Sequence, residues 1–500
     1  MEVDMSLNIV LLTPRRRFIA NRWGLGYQIP LGMVFLGGPL LDAGHKVQLV
    51  DNDVYGWSDA ELVSRLKLEP PDVLMVGHTG STAAHPAAME TCQTLKAQFP
   101  EMLIVYGGVY PSYAAQDILV EHPYIDIVVQ GEGERTALEL CAQLDSDHPD
   151  LCEVKGITWR DGGHARTNPA QPPITDMDSY RPGWELVDWQ HYELFGFGRA
   201  AGMQFSRGCT LKCTYCGQWA FWRRWRHRSA KNFADEVEKL VKEYGVKIVW
   251  LADENFAAQP EQAHLALAEL AKRKLGISLN LNMTAADVVA QSEFLPLYKE
   301  AGVDNIVMGI EALEDNTVKK VRKNNPYEIS KQAVSLLRQH DIVSLVNIIF
   351  GLENETPTTL WRTLTKTYKL DADVLNAVYL TPHFWTHDGL RTCKEQIVQP
   401  DQSKWTYRNQ VINTPQMKPW QLFTGVKLIE ALYHLRPKAL WRMLLSKEKR
   451  FKQVLRAYFL VGLRVFLVEM IEFAFSTQFA HAGEVEQIPS YPKEHSSQAG

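Results

Sequence analysis

Cysteine is scarce, at seven in 500 residues, and the number is odd. A disulfide scaffold is thereby excluded. Basic residues show no excess: 53 Lys and Arg face 58 Asp and Glu, a formal net charge of −5 with a pI near 6.3. That excludes a chain-wide surface for nucleic acid. Hydrophobic residues at 46% and charged residues at 22% exclude a disordered or collagen-like chain. No apolar run of membrane length is clean, because the best stretch, 455–475, is broken by Arg464, Glu469 and Glu472. The N-terminus runs from Glu2 and Asp4 into Ile9-Val10-Leu11-Leu12 without a small-residue cleavage pattern, so no signal peptide is expected. These absences predict a soluble, cytoplasmic protein. An amphipathic helix over 455–475 leaves peripheral membrane association open. At 56.9 kDa the chain is long enough for two or three domains.

What is present is alternation. Over residues 8–145, strand-like runs at 8–13, 46–51, 72–77, 103–106 and 125–129 are separated by helical spacing, for example over 31–43 and 86–99. Short apolar runs bounded by Gly and Pro, with crossover helices, predict a doubly wound parallel α/β sheet. Such sheets bind ligands at the carboxyl ends of their strands. Those ends carry Thr13-Pro14, His78-Thr79-Gly80-Ser81, Gly107-Gly108-Val109-Tyr110 and Gly131-Glu132. Residues 146–200, rich in Asp, Pro and Gly, predict a linker with a small hairpin at 156–166. Residues 201–420 hold six further strand–helix units, which predict a partial or full β/α barrel. Residues 421–500 predict helices up to about Phe475 and a polar tail.

Three of the cysteines fall within eight residues. Cys209, Cys213 and Cys216 form C-x3-C-x2-C directly after the first strand of the second domain. Thiolates at such spacing hold iron–sulfur clusters, and a [4Fe-4S] cube held by three of them keeps one iron open for a small molecule. Zinc is the competing metal, but it takes four ligands and no second Cys pair is present; the next cysteine is Cys393.

With Tyr215 as the aromatic of C-x3-C-x-aromatic-C, the motif resembles the radical S-adenosylmethionine (SAM) superfamily. The resemblance implies that SAM chelates the open iron and is split reductively, with a ferredoxin or flavodoxin as electron donor. It places Asp253 and Glu254 on the SAM ammonium, Thr284 on ribose or carboxylate, Gly309 and Glu311 on ribose, and Gly351 and Glu355 beside the adenine. Glu355 has helix capping ahead of Pro357 as its alternative role. No residue is assigned to catalysis itself.

The first domain resembles the cobalamin-binding domain of B12-dependent radical SAM proteins. The matching segments are Ile29-Pro30-Leu31-Gly32, Gly44-His45-Lys46-Val47, Val105 to Pro111 and Asp126 to Glu134. This implies cobalamin contacts at Thr13, Thr79, Ser81, Gly107, Gly108, Tyr110, Gly131 and Glu132. The Asp-x-His-x-x-Gly signature of B12 mutases is missing, so no histidine is assigned as the lower cobalt ligand. A Gly-x-Gly-x-x-Gly turn is also missing after the first strand, which disfavours a dinucleotide.

Over roughly residues 8–440 the chain resembles the oxygen-independent oxidative cyclases of Mg-protoporphyrin IX monomethyl ester in (bacterio)chlorophyll biosynthesis. The segments that carry this are Arg207-Gly208-Cys209, Phe221 to Arg228, Leu251 to Glu254 and Gly351 to Thr356. The implied substrate is a small molecule, a Mg-porphyrin. Aromatics and arginines over 221–228, with His383, Trp385 and His387 after a later strand, suit a planar, carboxylated ligand. Their alternatives are packed and solvated side chains. A cobalamin-dependent radical SAM methyltransferase is the rival enzyme, and a non-enzymatic cobalamin or tetrapyrrole sensor is the remote one.

Overall fold

The computed structural model describes residues 6–15, 28–77, 82–194, 197–323, 325–392 and 394–475. They form two compact units, the first including 29–191 and the second beginning at Tyr192.

In the first unit, β1 (Asn8–Thr13), β2 (Lys46–Asp51), β3 (Val73–Val76), β4 (Leu103–Gly107) and β5 (Ile127–Val129) run parallel. β6 (Ile157–Asp161) and β7 (His164–Thr167) add an antiparallel hairpin, and the order is β2-β1-β3-β4-β5-β6-β7. The apolar runs are buried because crossover helices cover a parallel sheet on both faces. Local signals agree: Ser58 and Glu61 make a capping box that starts the helix Asp59–Leu66. Strand order reverses between β1 and β3, which sets a crevice at their tips.

Of residues 146–200, expected as a linker, 146–191 are packed onto this unit. Gly183 donates its N–H to the Val34 carbonyl at 2.8 Å, and Arg181 pairs with Asp42 at 2.7 Å. Gly37 and Gly38 permit the approach, since a Cβ on Gly38 would meet the Arg181 carbonyl oxygen at 2.0 Å.

The second unit is an open arc of six parallel strands, a partial barrel. The strands are β8 (Arg199–Met203), β11 (Val246–Leu251), β12 (Ser278–Met283), β13 (Val303–Glu311), β14 (Val343–Phe350) and β15 (Val374–Tyr379), in the order β15-β14-β13-β12-β11-β8. A two-residue ladder, β9 (Ser206–Arg207) with β10 (Arg226–His227), stands beside it. Neither rim of the arc is bare. At β8, Glu193 and Arg199 form an antiparallel bridge, and Ala200 donates to the Tyr192 carbonyl at 2.9 Å. Along β15, Leu375 N–H donates to His434 Nε2 at 3.3 Å, the Ala377 carbonyl accepts from Arg408 at 2.6 Å, and Tyr379 N–H donates to the Tyr407 carbonyl at 2.7 Å.

Three helices close the chain, Pro419–His434, Pro437–Leu445 and Lys449–Phe475. The last lies across the strand starts, away from the tips. Phe451 and Leu455 pack on Val343, the Tyr458 hydroxyl donates to Asn305 Oδ1 at 3.0 Å, and Arg450 pairs with Asp304 at 2.6 Å. Glu469, turned inward, accepts from Arg408 at 2.6 Å and pairs with Lys427. Among the described residues, no helix is long and apolar enough to cross a membrane.

Candidate functional site at the strand tips

In the second unit, two carboxylates hold the cysteine loop. Asp253, just beyond β11, is wholly buried: its Oδ2 accepts from Phe205 N–H at 3.0 Å, and its Oδ1 from Ser206 N–H at 2.6 Å and from the Ser206 hydroxyl. Burial pushes its carboxyl up to about 7, against the pull of those donors. Half-buried Glu254 accepts from Gly208 N–H at 3.1 Å and from the Trp222 indole at 2.7 Å. Gly208, at φ +97°, is required: a Cβ there would meet the Arg224 carbonyl oxygen at 2.5 Å. Of the pair expected at the SAM ammonium, Asp253 therefore has both oxygens committed to the β8–β9 connection, and Glu254 is the one with surface left.

Cys209, Cys213 and Cys216 are free thiols on this loop. Leu211 N–H points at Cys209 Sγ at 3.4 Å, and the Trp219 indole donates to the Cys213 carbonyl at 3.2 Å. Burial raises all three thiols, Cys216 to about 11, while Lys323 acts in the opposite sense on each. Burial pulls the Lys323 ammonium down, but Glu311 and the thiols of Cys213 and Cys209 outweigh it and keep it above its ordinary range. Three thiols beside a retained cation fit an anionic iron–sulfur cluster, which needs thiolate ligands. Among the described residues no three His, Cys, Asp or Glu side chains gather about one point fit for a single metal ion. A cube puts each thiolate on a different iron and needs no such gathering.

Glu311 ends β13 at φ +67°, buried, with its Oε1 3.1 Å from Lys323 Nζ. The Tyr215 hydroxyl also bonds to it, and this raises the phenol beyond what burial does. Gly309 makes room: a Cβ there would meet Glu311 Oε1 at 2.2 Å and Lys323 Nζ at 2.7 Å. Thr284 caps the helix Ala285–Ala290, accepting from Asp287 N–H at 3.0 Å and donating to Asp287 Oδ2 at 2.7 Å. Asn255 donates to the same Oδ2 at 2.9 Å and leaves its own buried Oδ1 without a partner. At the β14 tip, Gly351 (φ +80°) donates its N–H to Glu355 Oε2 at 3.1 Å, while Thr356, not Glu355, caps the helix Pro357–Leu370.

A third tip clamps the loop from beyond β15. Thr214 donates to Asp388 at 2.8 Å, and a Cβ on Gly217 would meet Trp385 Nε1 at 2.2 Å. His383 stacks on Trp385 with centroids 4.8 Å apart and 10° between planes, and burial lowers its pKa to about 4. The arginines after the cluster divide. Arg226 and Arg228 are buried, Arg228 against Glu236, whereas Arg223 and Arg224 are exposed.

The tips of the first unit are built from backbone. Gly108 (φ +121°) and Gly131 (φ +85°) have nothing within 4 Å of an added Cβ, so both present open peptide surface. Ser112 ties them together, donating to the Gly108 carbonyl at 2.6 Å and accepting from Gly131 N–H at 2.9 Å. Gly107 ends β4 half-buried, and half-buried Glu132 precedes the helix Gly133–Leu144. Thr13, at the end of β1, is buried with its Oγ1 unpartnered. An open backbone cradle with a waiting hydroxyl fits a large, flat, amide-bearing ligand such as a corrinoid. Tyr110 is different, being buried and stacked on His85 at 4.2 Å and 22°. His85 places Nδ1 3.2 Å from the Tyr106 hydroxyl, a core arrangement. Thr79 and Ser81, with His78, lie outside the described residues. Sequence reasoning assigned no role to Lys323, one of a run of basic residues, to Asn255, directly after Asp253 and Glu254, or to Ser112.

Known proteins match both units. A Radical SAM superfamily model matches residues 203–366, and a B12 binding domain model matches residues 25–141. The anaerobic magnesium-protoporphyrin IX monomethyl ester cyclase of Synechocystis sp. is 38% identical over 491 residues, 98% of each chain. The enzyme of the same name from Rubrivivax gelatinosus is 32% identical, covering 84% of this chain and 74% of that one. Among solved structures, the radical SAM methyltransferase TsrM of Kitasatospora setae, with cobalamin and a [4Fe-4S] cluster bound, superposes with a TM-score of 0.69 at 16% identity, over 94% of this chain and 100% of that one.

Proposed function

The chain belongs to the cobalamin-binding radical SAM family that includes the anaerobic magnesium-protoporphyrin IX monomethyl ester cyclases, and from that premise we propose that it closes the fifth ring of that ester without O₂. Its cofactors are a [4Fe-4S] cluster, SAM and cobalamin. The observation that carries the cyclase reading is 38% identity sustained over 98% of both chains, which spans both units and the C-terminal helices.

When bound, the cluster and SAM supply a radical that abstracts hydrogen, and cobalamin supplies a second redox centre. The chain's own residues do the holding. Cys209, Cys213 and Cys216 would ligate the cluster, whose remaining iron would be free to take SAM. Lys323 offsets negative charge beside the thiolates, and Asp253 fixes the backbone that enters the loop. We assign the SAM contacts to Glu254, Asn255, Gly309, Glu311 and the Gly351–Glu355 turn, with Asp253 and Thr284 as positioning residues behind them. Thr13, Gly107, Gly108, Gly131 and Glu132 would hold cobalamin, with buried Tyr110 supporting the cradle; Thr79 and Ser81 complete that set by sequence. We take residues 8–145 as the cobalamin domain, 201–420 as the radical SAM core and 421–500 as a C-terminal region that is helical up to Phe475 and ends in a polar tail by sequence. The stacked His383 and Trp385 give a planar apolar wall next to the cluster loop, suited to a macrocycle. A ferredoxin or flavodoxin is the electron donor.

The test is product analysis. Reduced, reconstituted protein with SAM, cobalamin and the Mg-porphyrin ester should release 5′-deoxyadenosine and a ring-closed ketone whose oxygen derives from labelled water. A product heavier by one methylene would make the chain a methyltransferase, the second reading, which shares all three cofactors.

A further inference from the structure

The C-terminal helices present an outward face that the ring-closing chemistry does not use. On the helix Lys449–Phe475, Leu460, Leu463, Leu467 and Ile471 are 59%, 47%, 52% and 57% exposed. Their spacing of three and four residues puts them on one stripe. The neighbouring helix Pro437–Leu445 adds Trp441 at 69% and Leu444 at 55%. Water-facing apolar side chains at this density mark an interaction surface.

Charge identifies what covers it. Between residues 436 and 464 nine residues are Lys or Arg and Glu448 alone is acidic. Three of the nine are spent inward: Arg436 and Arg442 on Asp371, and Arg450 on Asp304. Of the others, Lys438, Lys447, Lys449, Arg456 and Arg464 are exposed and Lys452 is half-buried; they flank or interrupt the apolar stripe. A second copy fits this poorly. Parallel helices would set basic turn against basic turn, and antiparallel ones would press the basic first half onto the apolar second half. An anionic lipid surface satisfies both features, because leucines enter the acyl boundary while Lys and Arg stems reach headgroup phosphates. Buried Glu469, Phe451 and Leu455 fasten the opposite side of the helix to the barrel, so the outward side is held in place.

We propose that the face formed by the helices at 437–445 and 449–475 docks flat on an anionic bilayer as a peripheral anchor. The proposal does not depend on the cyclase reading, and its test involves no turnover. The full-length protein is sedimented with vesicles of phosphatidylcholine alone and of phosphatidylcholine with phosphatidylglycerol in equal parts. Binding is expected only to the second, weakening as salt rises. Leu463→Asp with Leu467→Asp and Ile471→Asp should cut the bound fraction at least about tenfold, as should Lys449→Glu with Lys452→Glu. Leu463, Leu467, Ile471 and Lys449 are exposed and Lys452 is half-exposed, so circular dichroism and thermal midpoint should be unchanged. Absence of binding to anionic vesicles would overturn the proposal. So would a wild-type dimer in the ultracentrifuge that the aspartate variant turns into monomer without any vesicle binding.

Discussion

At the tips of β4 and β5 in the first unit, Gly108 and Gly131 offer bare peptide surface, whereas the tips of β11 and β13 in the second carry Asp253, Glu254 and Glu311, each engaged by donors of its own chain. The contrast follows from the ligands proposed for each. A corrinoid arrives as a finished, amide-rich disc and needs room and backbone groups. A cluster is assembled from inorganic parts, so its thiols must be held in advance by side chains that other segments fix. Removing side chains should therefore hurt the second unit, and adding them should hurt the first.

The largest effect is expected from Cys209→Ala with Cys213→Ala and Cys216→Ala. Iron after anaerobic reconstitution and all 5′-deoxyadenosine formation should be lost, while the corrinoid absorption of cobalamin-fed protein persists. Loss of both spectra together would break the division between the units. Next comes Asp253→Ala, which strands three buried donors and should cost about 3 kcal/mol. Asp253 also sets a pH dependence. Its folded pKa, about 7, lies above the unfolded value near 3.8, so its contribution is whole below about pH 4 and is lost as pH rises towards 7. Denaturant midpoints measured from pH 4 to 7 should show that slope in the wild type and lack it in Asp253→Asn. Gly217→Ala pushes a methyl into Trp385 and should cost about 1–3 kcal/mol, seen as a lower thermal midpoint and reduced iron content.

In the first unit, Gly108→Ala meets open space but a forbidden φ, so about 1–2 kcal/mol of strain is expected together with weaker cobalamin binding by equilibrium dialysis. Thr13→Val is the mildest. It removes an unpartnered buried hydroxyl, so stability should hold or rise slightly, while cobalamin affinity falls about fivefold if that hydroxyl serves the ligand.

Much of this was legible in the sequence where function and local order coincide. The C-x3-C-x2-C spacing, the glycine-ended strands and the six-strand alternation are patterns of near neighbours. What stayed hidden depends on distance along the chain. Lys323 meets Glu311 from beyond a helix, Trp385 reaches Gly217 across some 170 residues, and Ser112 joins two loops. Residues 146–200 read as a linker because Pro and Gly mark irregular backbone, yet irregular backbone also packs, as 146–191 do, when two glycines clear its path. Thr284 and Asp253 show the opposite case: polar residues at strand tips that local geometry has already employed.

The covered rims of the six-strand arc carry a further consequence. A half-ring exposes two lines of backbone groups that a closed ring would pair, and such lines template strand addition between molecules. Here, along β15, the successive outward groups of Leu375, Ala377 and Tyr379 are already satisfied by the His434 imidazole, the Arg408 guanidinium and the Tyr407 carbonyl, so no free row of backbone groups is left for another strand. The open arc is thus kept without inviting polymerisation, and truncation before Tyr407, which removes all three partners, should turn a tractable protein into an aggregating one.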